Sequence, residues 1–151
     1  MIESENSLTV RALLPEEAQL ASDVERLSLG HEAWTADGIR ETVARNGYYY
    51  AAFLGGAFVG SAGFTAVLDE GYITNIAVHP DFRRMGAASE LAKAVIEKAK
   101  ELKLSFLSLE VRESNAAAIS LYEKFGFSNV GRRKNFYSEP TEDAVIMTLN
   151  F

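Results

Sequence analysis

The chain has 151 residues, 48% apolar and 24% charged, with a formal charge of −6, the make-up of one ordinary globular domain rather than a disordered or fibrous chain. It has no cysteine, which excludes disulfides, thiolate metal sites and a cysteine nucleophile and asks for no oxidising compartment. Basic residues cluster only at Arg83-Arg84 and Arg132-Arg133-Lys134. That balance argues against direct nucleic-acid binding, and −6 is also an ordinary solubility margin.

The first residues, Met1-Ile2-Glu3-Ser4-Glu5-Asn6, are acidic and polar. They have neither the basic start nor the apolar stretch of a secretory leader. No run approaches 18 apolar residues, so a cytoplasmic protein without a membrane segment is expected. Residues 8–13 read as a strand. Pro15 then opens a helix, where its missing N–H costs nothing, with Ala18, Leu20, Ala21, Val24, Leu27 and Leu29 as its apolar side. Thr35 suits the N-cap of a second helix to about Arg45. Asn46-Gly47 breaks the chain. Residues 48–54 and 57–68 read as strands joined by the hairpin signal Gly55-Gly56, with Gly60 and Gly63 weakening or bending the second. Asp69-Glu70-Gly71 reads as a turn and residues 72–78 as a strand.

The clearest helix spans residues 88–102, with Ala88, Leu91, Ala92, Val95, Ala99 and Leu102 at helical spacing. Residues 106–111 form a strand with Leu107, Leu109 and Val111 on one face. Ser114 or Asn115 caps a helix to Phe125, which Gly126 stops. Residues 127–133 and 144–149 complete the strands. The result is an α/β fold with a mixed central sheet, in the order β-α-α-β-β-β-α-β-α-β-β, as a single domain over residues 1–151. The β-α-β-α middle implies some parallel pairing.

Three features carry chemistry. The first is the loop Arg83-Arg84-Met85-Gly86-Ala87-Ala88, followed by Ser89, at the start of the strongest helix. Unpaired N–H groups there carry partial positive charge, and small side chains let a pyrophosphate approach them. A solvated loop before an ordinary helix has the same composition. The second is Glu110 near the end of an apolar strand, either a base for an attacking amine or a glutamate paired with a nearby Arg or Lys. The third is Tyr122, which shares a helical stripe with Asn115 and Ala118. It is either a proton donor or a core tyrosine. Tyr48, Tyr49 and Tyr50 suit a strand before they suit a cleft.

The loop resembles the coenzyme-A pyrophosphate loop of the GNAT acetyltransferases, Arg/Gln-x-x-Gly-x-Gly/Ala, and Asn75-Ile76-Ala77-Val78-His79-Pro80 resembles the strand end that precedes it. Residues 114–127 resemble that superfamily's Asn-x-x-Ala-x-x-Leu-Tyr-x-x-x-Gly-Phe segment. Residues 109–119, Arg132-Arg133-Lys134-Asn135-Phe136-Tyr137 and Glu142-Asp143-Ala144-Val145-Ile146-Met147 resemble the RimI-like branch, the bacterial ribosomal-protein alanine N-acetyltransferases. Glu32-Ala33-Trp34 stands where that branch often has Phe-Pro-Trp.

The resemblance implies the GNAT fold and an acetyl-CoA-dependent N-acetyltransferase that needs no metal. It implies Glu110 as general base and Tyr122 as general acid. Acetyl-CoA would lie on Ile76, Ala77, Val78, Arg83, Arg84, Met85, Gly86, Ala87, Ala88, Ser89 and Asn115. Trp34 and Tyr137 would contact the acceptor, and Asp69, Glu70, Glu113 and Glu142 would attract a basic peptide. The implied acceptor is a protein N-terminus, the terminal alanine of a small-subunit ribosomal protein, and the enzyme a monomer or weak dimer without nucleic-acid or membrane partners. A small-molecule amine as acceptor, or a non-catalytic acyl-CoA-binding module, are the alternatives.

Overall fold

The computed structural model describes residues 7–151; the acidic, polar stretch read at residues 1–6 lies outside them. Seven strands form one sheet in the order β1-β2-β3-β4-β5-β7-β6. They are β1 (Leu8–Ala12), β2 (Gly47–Leu54), β3 (Ala57–Val67), β4 (Glu70–Val78), β5 (Phe106–Arg112), β6 (Ser128–Tyr137) and β7 (Glu142–Asn150). The helices are α1 (Ala18–Leu29), α2 (Ala36–Arg45), α3 (Ala87–Glu101) and α4 (Ala116–Lys124). Every expected element is present in the expected order. Only β4 and β5 pair in parallel; all other neighbours are antiparallel.

The local signals act as their chemistry requires. Pro15 starts a single 3-10 turn that runs into α1. Thr35 accepts the Gly38 N–H and caps α2, and Asn115, not Ser114, accepts the Ala118 N–H and caps α4. The turn after β3 falls one residue earlier than expected. Leu68 takes a positive φ, and Glu70 and Gly71 already pair within the sheet. β6 runs four residues beyond its expected end, through two irregularities in its pairing with β7.

α1 and α2 pack against one cluster centred on Leu13, Ile39, Tyr49 and Ala51, while α3 and α4 help build the larger cluster around Phe64, Leu91, Val95 and Leu107. The apolar side of α3 is buried as its spacing implies. α1 is not oriented as its leucines imply. Leu20 and Leu27 are exposed, and the helix buries Ala18, Ala21, Ser22, Val24 and Glu25. Gly63 does not merely bend β3. A Cβ there would lie 2.5 Å from the Tyr49 ring, so the glycine lets that ring cross the strand. Gly63→Ala is expected to destabilise the protein by about 1–3 kcal/mol through overpacking, lowering the midpoint of a thermal melt by several degrees; an unchanged midpoint would mean that the ring has room to move.

Candidate active site

The position of the site follows from a gap in the sheet. β4 and β5 pair only at Glu70–Tyr72 against Phe106–Ser108. Beyond that point β4 stays with β3 and β5 stays with β7, so the two strands diverge. β4 takes one extra residue, Thr74, where its register with β3 shifts at Gly63/Phe64, and such a bulge bends a strand. His79 donates its N–H to the Val59 carbonyl at 2.8 Å, and the Ala77 carbonyl faces Gly60 of β3. Backbone groups alternate sides along a strand. The polar groups of Ile76 and Val78 therefore face the edge that β5 has left.

Two cavities occupy the opening. One, of about 760 Å³, lies between the diverging strands and is lined by Ile73, Thr74, Asn75, Ser108, Glu110, Arg112 and Tyr137, among others. The other, of about 560 Å³, runs over the start of α3 and is lined by Val78, Arg83, Arg84, Gly86, Ala87, Ala88 and Ser89. Ser28, Leu29, Ile76, Asn115, Ala118 and Tyr122 line both. The two cavities thus adjoin, with these six residues as their shared wall.

The second cavity has the features of an anion site. Gly86 is the N-cap of α3 at φ +85° and offers no side-chain cap. The N–H groups of the first turn, at Ala87, Ala88 and Ser89, therefore lack intrahelical partners, and the helix dipole adds positive potential there. Arg83 donates to the Ser28 hydroxyl at 3.5 Å, which ties the loop to the end of α1.

Glu110 and Tyr122 line the same cavity, in different settings. Glu110 is partly exposed and pairs with Arg133, Nε to Oε1 at 3.2 Å. It is thus ion-paired, as one of the two sequence alternatives has it, and it stands on the cavity wall. The Tyr122 ring is buried against Phe127 at a centroid distance of 5.5 Å. Burial first, then the nearby Tyr137, holds its phenol above the ordinary tyrosine range. Tyr137 is pushed up to about 12 by burial and then by the charges of Glu32 and Glu110. Asn115 lines both cavities with its oxygen occupied as the α4 cap.

Three expected residues lie outside the lining. Ala77 alternates away from the open edge, with its side chain buried. The Met85 side chain is turned out to solvent. Trp34 is held beside α1, where its N–H donates to Glu25 and its carbonyl accepts from Ser22. His31 and Glu32 reach the cavity in its place. The four acidic residues expected to draw a peptide are otherwise engaged. Asp69 accepts from Ser105, Glu70 from Tyr72, Glu113 pairs with Arg132, and Glu142 with Arg112. Asp69 and Glu70 also sit at the closed end of the strand gap. Tyr48, Tyr49 and Tyr50 are strand residues that line neither cavity.

Sequence patterns did not point to Arg112. It donates to Glu32 at 2.9 Å, to Glu142 at 3.0 Å, and to the carbonyls of Ser138 and Pro140 at 2.9 and 3.0 Å, with its guanidinium 4.6 Å from the Tyr137 ring centre. It joins the segment after α1 to the β6–β7 connection over the cavity. Its partners lie 26 to 80 residues away in sequence, so no local signal marks them. Among the described residues no group of three or more His, Asp or Glu is placed to hold a metal, and no helix is long and apolar enough to cross a membrane.

Residues 10–127 match the acetyltransferase (GNAT) family. A Bacillus subtilis protein, provisionally named a ribosomal protein bS18-alanine N-acetyltransferase, is 40% identical over 116 residues, 76% of this chain and 77% of that one. The ribosomal protein bS18-alanine N-acetyltransferase of Escherichia coli K12 is 46% identical over 85 residues, 55% of this chain and 57% of that one. The crystal structure of the ribosomal-protein-S18-alanine N-acetyltransferase from Escherichia coli superimposes with a TM-score of 0.87 at 32% identity, covering 95% of this chain and 94% of that one.

Proposed function

The chain belongs to the GNAT acetyltransferase family and is an N-acetyltransferase, and from that premise we propose that it carries acetyl from acetyl-CoA to the N-terminal alanine of ribosomal protein bS18 in the cytoplasm. The observation that carries this reading is the pair of adjoining cavities at the strand gap. One arm has the unpaired amides and arginines that suit a pyrophosphate. The other, of about 760 Å³, has room for a peptide end, and Tyr122 lines both. The names of the related bS18 acetyltransferases support the choice of acceptor.

In this reading the pyrophosphate of acetyl-CoA rests on the backbone of residues 83–89, with Arg83 and Arg84 beside it. The pantetheine runs along the outward polar groups of Val78 and Ile76 toward the gap. The acceptor amine enters from the larger cavity as a neutral nucleophile. A free α-amine has a pKa of about 7.7–8.0, so only modest help from a base is needed. Glu110 takes the proton, directly or through water, as the nitrogen attacks the thioester carbon. A backbone N–H on the open edge of β4 stabilises the oxyanion. The carbon–sulfur bond then breaks and Tyr122 supplies the proton that the CoA thiolate takes up.

The direct test is turnover of acetyl-CoA with a peptide that begins with the alanine of bS18, together with mass spectrometry of ribosomal proteins from cells lacking the gene. Loss of the acetyl mark on bS18 alone is the expected result. Turnover on small amines but on no peptide would overturn the acceptor, and binding of acetyl-CoA without turnover on any amine would overturn catalysis. The phosphate arm has its own test. Ser89→Glu places a carboxylate in the first turn of α3, where it suits the helix dipole, so stability should hold or rise. A unit charge about 7 Å from a phosphate costs about 2–3 kcal/mol at an effective dielectric of about 20. The Kd for acetyl-CoA, read by calorimetric titration, should rise by at least roughly tenfold, and an unchanged Kd would move the pyrophosphate elsewhere.

A further inference from the structure

One ionisable group deep in the molecule has no part in the steps above. Glu25, in the middle of α1, is fully buried. Its Oε1 accepts two hydrogen bonds, from the Trp34 N–H at 3.0 Å and from the Asn75 side-chain amide at 2.7 Å. Its Oε2 has no partner, and neither does Oδ1 of Asn75 or Oγ of Ser61 on the neighbouring strand. Among the described residues no lysine, arginine or histidine pairs with it. The titratable group that senses its charge is the Tyr49 phenol of β2, itself raised by burial. β3 presents the uncharged Ser61, β4 the uncharged Asn75, α1 itself the uncharged Ser22, and the segment before α2 the Trp34 N–H.

A buried carboxylate without a cation is costly. An unpaired carboxylate oxygen in the same buried cluster as an unpaired amide oxygen adds acceptor to acceptor. A proton relieves both, because a neutral carboxyl is a donor as well as an acceptor and can pair with an amide through two hydrogen bonds. The two ends of this contact matter to the site. Trp34 comes two residues after Glu32, which lines the larger cavity with His31. Asn75 lines the same cavity from β4, between the bulge at Thr74 and Ile76.

We propose that Glu25 is a positioning residue for acetyl transfer: in its neutral form it pairs with Asn75 and holds the His31–Trp34 segment against the bulged part of β4, fixing the two walls between which the acceptor binds. This rests on the function proposed above for the cavity. Burial pushes Glu25 up to about 7, against the two hydrogen bonds, which act to lower it. The sign follows. The neutral link is complete at acidic pH and is lost as pH rises through about 7. Ionisation leaves a charge without a counterion and loosens the wall on the acceptor side, while the phosphate arm is untouched.

The test compares the wild type with Glu25→Gln between pH 6 and 8.5. Glutamine has the shape of the neutral acid, donates to Asn75 and does not titrate. Relative to the variant, the wild-type KM for the acceptor peptide should rise with pH by roughly 2- to 10-fold, the range that one net hydrogen bond commands, with the KM for acetyl-CoA parallel in the two. Taking the ratio cancels ionisation of the acceptor amine, which is common to both proteins. Carboxyl 13C NMR, assigned by difference from the variant, should show a Glu25 midpoint near 7. Hydrogen exchange at the Trp34 amide should speed up with pH more in the wild type than in the variant. Parallel KM profiles, or a Glu25 carboxyl ionised down to the ordinary range near 4.5, would overturn the proposal. The NMR and exchange measurements need no turnover. An enzyme inactive on every peptide would therefore refute the proposed function while the Glu25 link is still decided.

Discussion

Replacing Tyr122 with phenylalanine is expected to lower kcat by roughly 10²–10⁴-fold, the usual contribution of a general acid, with the fold intact. The substitution removes one oxygen. The ring is buried against Phe127 in the large cluster that α4 helps to close, and phenylalanine keeps that packing. Burial holds the phenol in its protonated form through any practical assay range, so the wild type always has its proton to give. A thiol ionises near 8.5, and the departing sulfur needs that proton less as pH rises. The deficit of the variant should therefore shrink toward alkaline pH. Single-turnover rates across pH 6–9.5 make the measurement. A kcat equal to the wild type's at every pH would leave Tyr122 as a core residue that happens to line the two cavities.

Glu110→Gln should cost a comparable factor in kcat/KM for the peptide at pH 7, roughly 10²–10⁴-fold, while acetyl-CoA binds as before. The carboxylate is paired with Arg133 at 3.2 Å, but both side chains are substantially exposed. Such a pair contributes little, because water and salt screen it and two long side chains must be held still. It does not lock Glu110 away from an incoming amine. Once the pH exceeds about 7.7–8.0 the acceptor amine is already neutral, so the loss should become small near pH 9. Stopped assays at fixed ionic strength with the alanine-starting peptide read this directly. A pH-independent loss would point to a role in binding the peptide. No loss would reduce Glu110 to a partner for Arg133.

Local pattern places Tyr122 and Glu110 on their elements, and only the resemblance to the GNAT acetyltransferases singles them out. One sits on a short helix framed by Asn115 and Gly126, the other on a strand whose apolar residues alternate. Each neighbourhood declares its own conformation. The bare N–H groups at the start of α3 are local in the same way, since a glycine followed by alanines leaves them open wherever the helix is placed, but only the resemblance assigns them to a pyrophosphate. Arg112 carries no such mark. It looks like any basic residue at a strand end, and only folding brings Glu32, Ser138, Pro140 and Glu142 around it. Trp34 shows the reverse: an aromatic side chain beside the acceptor loop drew attention, while the structure uses its backbone.

Strands, helices, their caps and most turns of this protein are written in short-range chemistry: hydrophobic period, proline at a helix entrance, glycine at a helix exit, asparagine or threonine at an N-cap. Those features reach only a few residues along the chain, and so does what they decide. The divergence of β4 from β5, the inward turn of Glu25 in place of Leu20 and Leu27, and the two cavities that Tyr122 lines depend on segments distant in the chain packing against one another, as Glu25 with Asn75, 50 residues apart, and Arg112 with Glu32, 80 apart. Burial of a polar face is favourable only once its distant partners are in position, and a strand separates from its neighbour only when another strand takes up the pairing.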